Sequence, residues 1–116
     1  MDHVYREAAR IWEEKVTLGE KRCLFTSMLA RLIKYANEAG YGVNLECGKC
    51  YLTGHHRKNS LHYLGLAADL NIYKNGEWLP DGTGHDVLHD YWDSIGGAKR
   101  IPGDSNHYSI EHEGRR

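Results

Sequence analysis

Four side chains in two short segments have the types and spacing needed to bind and use a metal ion. The segment Ser60–Leu70 carries His62 and Asp69. A second segment, near the other end of the chain, carries Asp104 and His107. Two imidazoles and a carboxylate form a ligand set that leaves one position on a catalytic metal open for water. The second carboxylate supplies a base, so the pattern favours metal-assisted hydrolysis, with zinc as the preferred ion and Mn²⁺ or Co²⁺ as alternatives.

The spacing between His62 and Asp69 requires a bend in the chain. Seven positions separate the two residues. That separation corresponds to roughly 10 Å along a straight helix or about 23 Å along a straight strand, both too far for one ion. Gly65 is the residue best suited to the bend, because glycine adopts backbone conformations that other residues avoid. Beyond it, alternating residues over 67–73 predict a strand with an apolar face and with Asp69 on the other face.

Three helices are expected from apolar residues at helical spacing. The first covers residues 4–16. For the second, Thr17 and Glu20 form a capping-box pattern at the start, and Gly40 lies where a left-handed residue is expected at the end. The third begins at about Asp86 and ends before two consecutive glycines.

Short strands account for most of the remaining chain. Residues 43–45 form one candidate strand, and the strand beyond the glycine bend is expected to turn back at Asn75-Gly76, a strong hairpin signal. A final strand over 107–111 is expected to place alternate residues on opposite sides. Helices with a small antiparallel sheet packed against them predict a single α+β domain over residues 1–116.

The composition is that of an ordinary globular domain and argues against several classes of function. The 116 residues are 41% hydrophobic and 27% charged, with a formal net charge of −1. This charge gives no electrostatic reason to expect nucleic-acid binding. No apolar run approaches the ~20 residues of a membrane span, so no membrane insertion is expected. The first residues lack the layout of a signal peptide, and we expect synthesis in a cytosol without export by the usual route.

Other groups of metal-binding side chains have plainer interpretations. Cys47 and Cys50 have CxxC spacing and are candidates for a small structural zinc site, although an odd number of cysteines in a cytosolic product favours reduced thiols. His85 and His89 flank Asp86 in a pattern close to HExxH, and on a helix they would share a face. A solvated helix flank explains that pattern equally well. The remaining histidines are expected to be exposed: His3, His55, His56 and His112.

The two chemistry-bearing segments resemble the zinc D-Ala-D-Ala carboxypeptidase and L-alanyl-D-glutamate endopeptidase family, in particular its compact phage members. The family motif SxHxxGxAxDL is met by Ser60–Leu70. A second motif, an acid followed three residues later by histidine and an aromatic residue, is met by Asp104, His107 and Tyr108. The similarity covers about residues 17–111. It implies the zinc-peptidase fold shared by DD-peptidases and the Hedgehog signalling domain.

The resemblance also implies a role for each site residue. His62, Asp69 and His107 would hold one Zn²⁺, and Asp104 would act as general base and then as general acid. Ser60 would contact the substrate or support a ligand, and it would not be a nucleophile.

A basic residue that grips the substrate is the one departure from the family pattern. Relatives usually carry an arginine some way before the serine motif. Here Lys49 or Arg57 is the candidate replacement. A lysine would lack the bidentate fork that an arginine offers to a carboxylate.

The substrate implied by the resemblance is the peptidoglycan stem peptide, cut between L-Ala and D-Glu by a monomeric phage endolysin that reaches the cell wall through a separate holin pore. Three alternatives remain, of which one is a non-catalytic zinc module built on Cys47 and Cys50. The other two follow from the resemblance. One is a D-Ala-D-Ala carboxypeptidase or dipeptidase. The other is a non-catalytic zinc-binding module of Hedgehog-like fold, against which the intact Asp104 argues.

Overall fold

The computed structural model describes residues 16–46, 60–80 and 82–116. Within these ranges two helices and a small antiparallel sheet of four strands form an α+β arrangement, which confirms the predicted fold class. No helix in the described ranges is both long enough and apolar enough to cross a bilayer. Several predictions concern residues outside these ranges: the first helix at 4–16 (all but its last residue), Lys49 and Arg57, Cys47 and Cys50, and His3, His55 and His56.

The longer helix, α1 (Leu18–Glu38), begins at the predicted capping box. The Thr17 hydroxyl accepts a hydrogen bond from the backbone N–H of Glu20 at 3.1 Å, and the Glu20 carboxylate accepts one from the N–H of Thr17 at 3.4 Å. Gly40 follows with φ of +95°, a left-handed value that glycine adopts without strain. The apolar stripe of the helix is buried at four positions: Phe25, Met28, Leu32 and Ala36.

The central strand of the sheet is β2 (Ala67–Lys74). It pairs antiparallel with β1 (Gly42–Leu45), with β3 (Glu77–Trp78) and with β4 (His107–Ser109). A short 3-10 helix (Leu61–Leu64) leads into it. Every strand that supports the candidate site is therefore anchored on β2.

The turn from β2 to β3 has the conformation that its sequence predicts. Asn75 and Gly76 have φ of +53° and +80°. Left-handed values at both central positions are those of a type I′ turn, whose twist matches that of the flanking strands.

Strand β4 is shorter than predicted, because it ends at Ser109 and the expected continuation to residue 111 is not seen. All three of its residues are buried, so both faces of this strand are covered. The second helix and the segment after it cover this strand: Trp92 Nε1 from the helix and Ala98 N–H from the segment each donate to the Ser109 carbonyl at 2.8 Å. Ile110 leaves the ladder and donates its N–H to the Leu66 carbonyl at 3.2 Å.

The second helix, α2 (His85–Ser94), contacts both α1 and β4 through one aromatic residue. The Trp92 ring meets Phe25 of α1 edge to face at 5.9 Å between centroids, and Tyr108 of β4 at 6.0 Å. Gly97 lies directly against this ring, so that a Cβ at Gly97 would come within 2.1 Å of ring atoms. The helix ends before the predicted glycine pair.

Candidate metal centre

The predicted bend at Gly65 is present, and it turns the chain from the 3-10 helix that carries His62 into β2. The Ser60 hydroxyl accepts a hydrogen bond from the backbone N–H of His62 at 3.1 Å, which caps the start of the helix. Gly65 ends it with φ of +73°. Arg22 of α1 braces the turn from outside, donating through Nε to the Leu64 carbonyl at 2.6 Å. Ser60 thus supports the backbone that carries His62.

The other two candidate ligands face each other across a strand pair. The register of β2 with β4 sets Asp69 directly opposite His107, although the two residues lie 38 positions apart in the chain (107 − 69). Paired residues on neighbouring strands project from the same face of a sheet. Both side chains therefore project from rigid backbone toward the same point.

The ligand atoms of His62, Asp69 and His107 lie within 4.8 Å of one another. Asp69 Oδ1 is 3.3 Å from His62 Nε2 and 3.4 Å from His107 Nδ1. An ion bound tetrahedrally at about 2.1 Å from each ligand would hold pairs of ligand atoms about 3.4 Å apart. The two separations that involve Asp69 fit an ion of that size, and no other group of three such side chains occurs among the described residues.

A buried carboxylate oxygen without a hydrogen bond lies at the middle of this group, between two imidazoles. Asp69 Oδ1 is buried and makes no hydrogen bond within the described part of the chain, and the same holds for His107 Nε2. A buried polar atom without a partner costs about 1–3 kcal/mol. A cation between the imidazoles of His62 and His107 would supply the missing partner for the Asp69 oxygen.

The electrostatics of the group favour an ionised carboxylate. Burial alone would raise the pKa of Asp69, but the neighbouring imidazoles of His107 and His62 outweigh it and hold that pKa well below its usual range. Asp69 is therefore charged at neutral pH, which is the form that a metal ligand requires.

Asp104 lies at the edge of the group, on the side open to solvent. Its Oδ2 is 4.0 Å from His107 Nδ1, and its side chain is 49% exposed, against 19% for Asp69. The His107 N–H donates to the Asp104 carbonyl at 3.2 Å, so both residues belong to one tight turn. Asp104 can thus reach a molecule held at the centre without belonging to the ligand group.

The buried positions of His85 and His89 overturn the expectation of a solvated helix flank. The Tyr108 hydroxyl lies 2.6 Å from His85 Nδ1. His89 donates through Nε2 to the Ser105 carbonyl at 2.7 Å, and its ring stacks on Tyr108 at 4.2 Å with an interplanar angle of 13°. Both rings contact Tyr108, each has its own hydrogen-bond partner, and within the described residues they belong to no metal-binding group of three.

These contacts give His89 a part in the site that the sequence analysis missed. Ser105, whose carbonyl His89 holds, lies between Asp104 and His107 in the chain. Its hydroxyl also accepts a hydrogen bond from the Gly82 N–H at 3.2 Å. Helix α2 thus fixes the turn that carries the base and one ligand. A sequence signal was present, since four buried residues of the helix follow the i, i+3, i+4, i+7 spacing of a core face: His85, Leu88, His89 and Trp92.

His112 is also less exposed than the sequence analysis expected. Its Nδ1 lies 2.8 Å from Lys21 Nζ of α1. Backbone hydrogen bonds with Arg115, at 3.0 and 2.9 Å, close a small turn here. The segment around His112 is therefore packed on the first described helix.

The structure brings four of the predicted site residues together and assigns a fifth to the turn beside them: His62, Asp69 and His107 in the centre, Asp104 at its edge, and Ser60 in the supporting turn. Comparison of the chain with protein-family models, with curated proteins and with solved structures finds no match. The argument for function therefore depends on the residues of this centre.

Proposed function

We propose that this chain is a zinc-dependent hydrolase of the peptidoglycan stem peptide that cuts between L-Ala and D-Glu as a phage endolysin. The observation that supports the proposal most is the convergence of His62, Asp69 and His107, with Asp104 at the solvent side. The likeness of both motifs to the zinc peptidases supplies the substrate. The fold of DD-peptidases and the Hedgehog domain is part of the same proposal.

The metal would be held by three atoms: His62 Nε2, Asp69 Oδ1 and His107 Nδ1. When bound, zinc would lower the pKa of a water molecule to about 7 and polarise the scissile carbonyl. The chain's own contribution is rigidity, because one ligand lies on a capped turn and two lie on paired strands. Ligands that are already in place lose little conformational entropy on binding.

Asp104 carries the proton transfers in this proposal. Its carboxylate takes a proton from the attacking water as the oxygen bonds to the L-Ala carbonyl carbon. It then gives that proton to the D-Glu nitrogen, so that the C–N bond breaks and a neutral amine leaves. The exposure of Asp104 leaves its carboxylate accessible to a substrate arriving from solvent.

The remaining parts of the proposal concern substrate grip and place of action. Lys49 and Arg57 are the proposed partners of substrate carboxylates. The protein would be made in the host cytoplasm and would act as a monomer on the cell wall. It would bind neither nucleic acid nor the membrane interior.

The test is mass spectrometry of purified peptidoglycan digested with and without a chelator. We expect muramyl fragments ending in L-Ala only when the metal is present. Release of terminal D-Ala would move the protein to the carboxypeptidase branch. The absence of any metal-dependent product would refute the hydrolase proposal.

A paired variant tests the role of Asp104. Asp104→Asn removes the base without changing size, so turnover should fall at least about a hundredfold while bound zinc stays at the wild-type ratio. The matched control is Asp90→Asn, an exposed acid on α2, which should leave both quantities unchanged. Undiminished turnover in Asp104→Asn would rule out its assignment as the base.

A further inference from the structure

Three hydrogen-bonded side chains cross the sheet on the same face as Asp69. Trp78 Nε1 donates to Asn71 Oδ1 at 3.4 Å, and Asn71 Nδ2 donates to Asn44 Oδ1 at 3.1 Å. The register accounts for this, since Asn44 lies opposite Asn71, which follows Asp69 by two positions on β2. We call these three residues the amide row.

Trp78 is the most exposed large hydrophobic residue among those the structure describes, with 56% of its surface open to solvent. Its N–H is engaged by Asn71, which fixes the orientation of the indole. An exposed indole held in one orientation loses little rotational freedom when a ligand covers it. The ring is thus already arranged to receive a flat apolar surface.

Two members of the amide row border a cleft of about 450 Å³, and Asn44 adjoins it through its hydrogen bond with Asn71. Asn71 and Trp78 line it, together with Asn106 and Glu46, whose carboxylate accepts a hydrogen bond from Asn106 Nδ2 at 2.8 Å. Its described lining residues include no lysine or arginine. The wall combines the indole of Trp78 with amide groups, the Glu46 carboxylate and three apolar residues (Leu70, Leu79 and Pro80), and its one histidine, His85, is buried against Tyr108. Such a lining suits a neutral ligand that has both an apolar face and hydroxyl or amide groups.

The distance between the candidate metal centre and the cleft also matches the distance between the scissile bond and the first sugar ring of the proposed substrate. Along β2, Asn71 lies about 7 Å from Asp69, and Tyr73, which is paired with Trp78, lies about 13 Å away. In peptidoglycan, one L-Ala and one lactyl unit, about 7 Å of extended chain, separate the scissile bond from the first sugar ring. A substrate bound at the centre would therefore bring its glycan within reach of this cleft.

We propose that Trp78, Asn71 and Asn44 bind an N-acetylated sugar of the glycan chain that carries the stem peptide. This inference rests on the proposed function and extends it to the glycan. The face of the indole carries negative π density that attracts the C–H bonds of a pyranose ring. The amides of the row pair with acetamido and hydroxyl groups.

The first test measures sugar binding and needs no hydrolysis. Full-length ¹⁵N-labelled protein is titrated with di-N-acetylchitobiose while the indole N–H resonances are followed by NMR. The Trp78 signal should shift in the millimolar range, and the signal of the buried Trp92 should not. Trp78→Ala should weaken binding about tenfold through loss of the stacked ring, and Trp78→Phe should weaken it less.

The matched control for Trp78→Ala is Leu45→Ala. Leu45 is similarly exposed, at 53%, but it is paired with Leu70 on the opposite face of the sheet. Its replacement should leave chitobiose binding unchanged. If chitobiose shifts no Trp78 signal, or if Trp78→Ala binds chitobiose as tightly as the wild type, the amide row is not a sugar site.

A second test separates this inference from the proposed function. The value of kcat/KM is compared for a muramyl-bearing stem peptide and for the same peptide without sugar. Trp78→Ala should lower it about tenfold for the sugar-bearing substrate only, through KM. Equal losses on both substrates would overturn the sugar assignment in favour of a peptide contact. If neither substrate is cleaved but chitobiose binds at Trp78, the hydrolase proposal fails and the sugar site stands.

Discussion

Replacing His89 with alanine should destabilise the fold and weaken metal binding at the same time. The imidazole makes two contacts in the core, a hydrogen bond to the Ser105 carbonyl at 2.7 Å and a stack on Tyr108 at 4.2 Å. Ser105 lies in the turn between Asp104 and His107. The substitution therefore removes a buried support from the segment that carries a ligand and the proposed base.

The size of the effect follows from those two contacts. Leaving the buried Ser105 carbonyl without a donor costs about 1–3 kcal/mol. Losing the stacked ring pair with Tyr108 costs about 0.5–1.5 kcal/mol. The free energy of unfolding should therefore fall by about 1.5–4.5 kcal/mol in His89→Ala. His89→Gln keeps an N–H donor near the position of Nε2 and should lose only about 1 kcal/mol.

Two measurements check this. Urea unfolding of the metal-free protein at pH 8, where His89 is neutral in both states, gives the free energies of unfolding. Zinc affinity is then measured by competition with a chromophoric chelator. Removing a group that orients a metal ligand weakens metal binding about tenfold or more. The zinc affinity of His89→Ala should therefore fall by that factor, and the zinc affinity of His89→Gln should stay near that of the wild type.

Two results would refute the reasoning. An unfolding free energy of His89→Ala within about 0.5 kcal/mol of wild type would mean that the contacts of His89 with Ser105 and Tyr108 do not stabilise the fold. The second refuting result concerns zinc binding in variants that still fold. If His85→Ala and His89→Ala each abolish zinc binding while His62→Ala retains it, the ligands are the histidine pair on α2 and the centre at Asp69 is not the metal site.

Two further predictions concern the core. Burial lowers the pKa of His89 below the value of about 6.5 in an unfolded chain, so the unfolded state takes up a proton more readily. The free energy of unfolding should therefore be greatest above about pH 6.5 and fall as the pH drops toward the lower folded-state pKa, and His89→Gln should flatten this dependence in unfolding curves recorded from pH 5 to 8. Gly97→Ala places a Cβ within 2.1 Å of the Trp92 ring and should cost about 3 kcal/mol or prevent folding. Its control, Gly19→Ala, lies in α1 with 3.9 Å of room and should raise the Tm slightly; equal Tm values for the two variants would contradict the packing argument.

The helices and strands could be predicted because their signals act over a few residues. The capping box at Thr17 and the turn at Asn75 each depend on hydrogen bonds or φ values within four positions. The glycine bend before β2 has the same local origin, since Gly65 reaches a φ that other residues avoid. Such signals can be recognised in the sequence without any knowledge of the rest of the fold.

The candidate ligands could be chosen from the sequence, but their convergence could not be measured there. His62 and Asp69 share one motif, whereas His107 comes from a strand whose partner is set by the whole fold. The 3.3 and 3.4 Å separations depend on that distant pairing. The sequence predicted the members of the group, and only the fold gives their geometry.

The burial of His85 and His89 could not be predicted from polarity. A histidine enters a core only when the core offers it a hydrogen-bond partner. Here the partners are the Tyr108 hydroxyl and the Ser105 carbonyl, which lie in a segment more than ten positions away. The same dependence on distant groups explains the early end of β4, which the Trp92 indole covers.

The pairing of β2 with β4 has a consequence for how the candidate centre assembles during folding. Its two halves meet only after the intervening chain has closed into a loop, a step whose entropic cost makes such non-local contacts slow to form. A fragment ending before β4 would hold two of the three ligands. An ion bound by all three would act as a cross-link that favours the complete fold over any partly folded form. Metal affinity would then report how fully the chain from α2 to β4 has folded, and substitutions remote from the ligands would be detected as weaker binding.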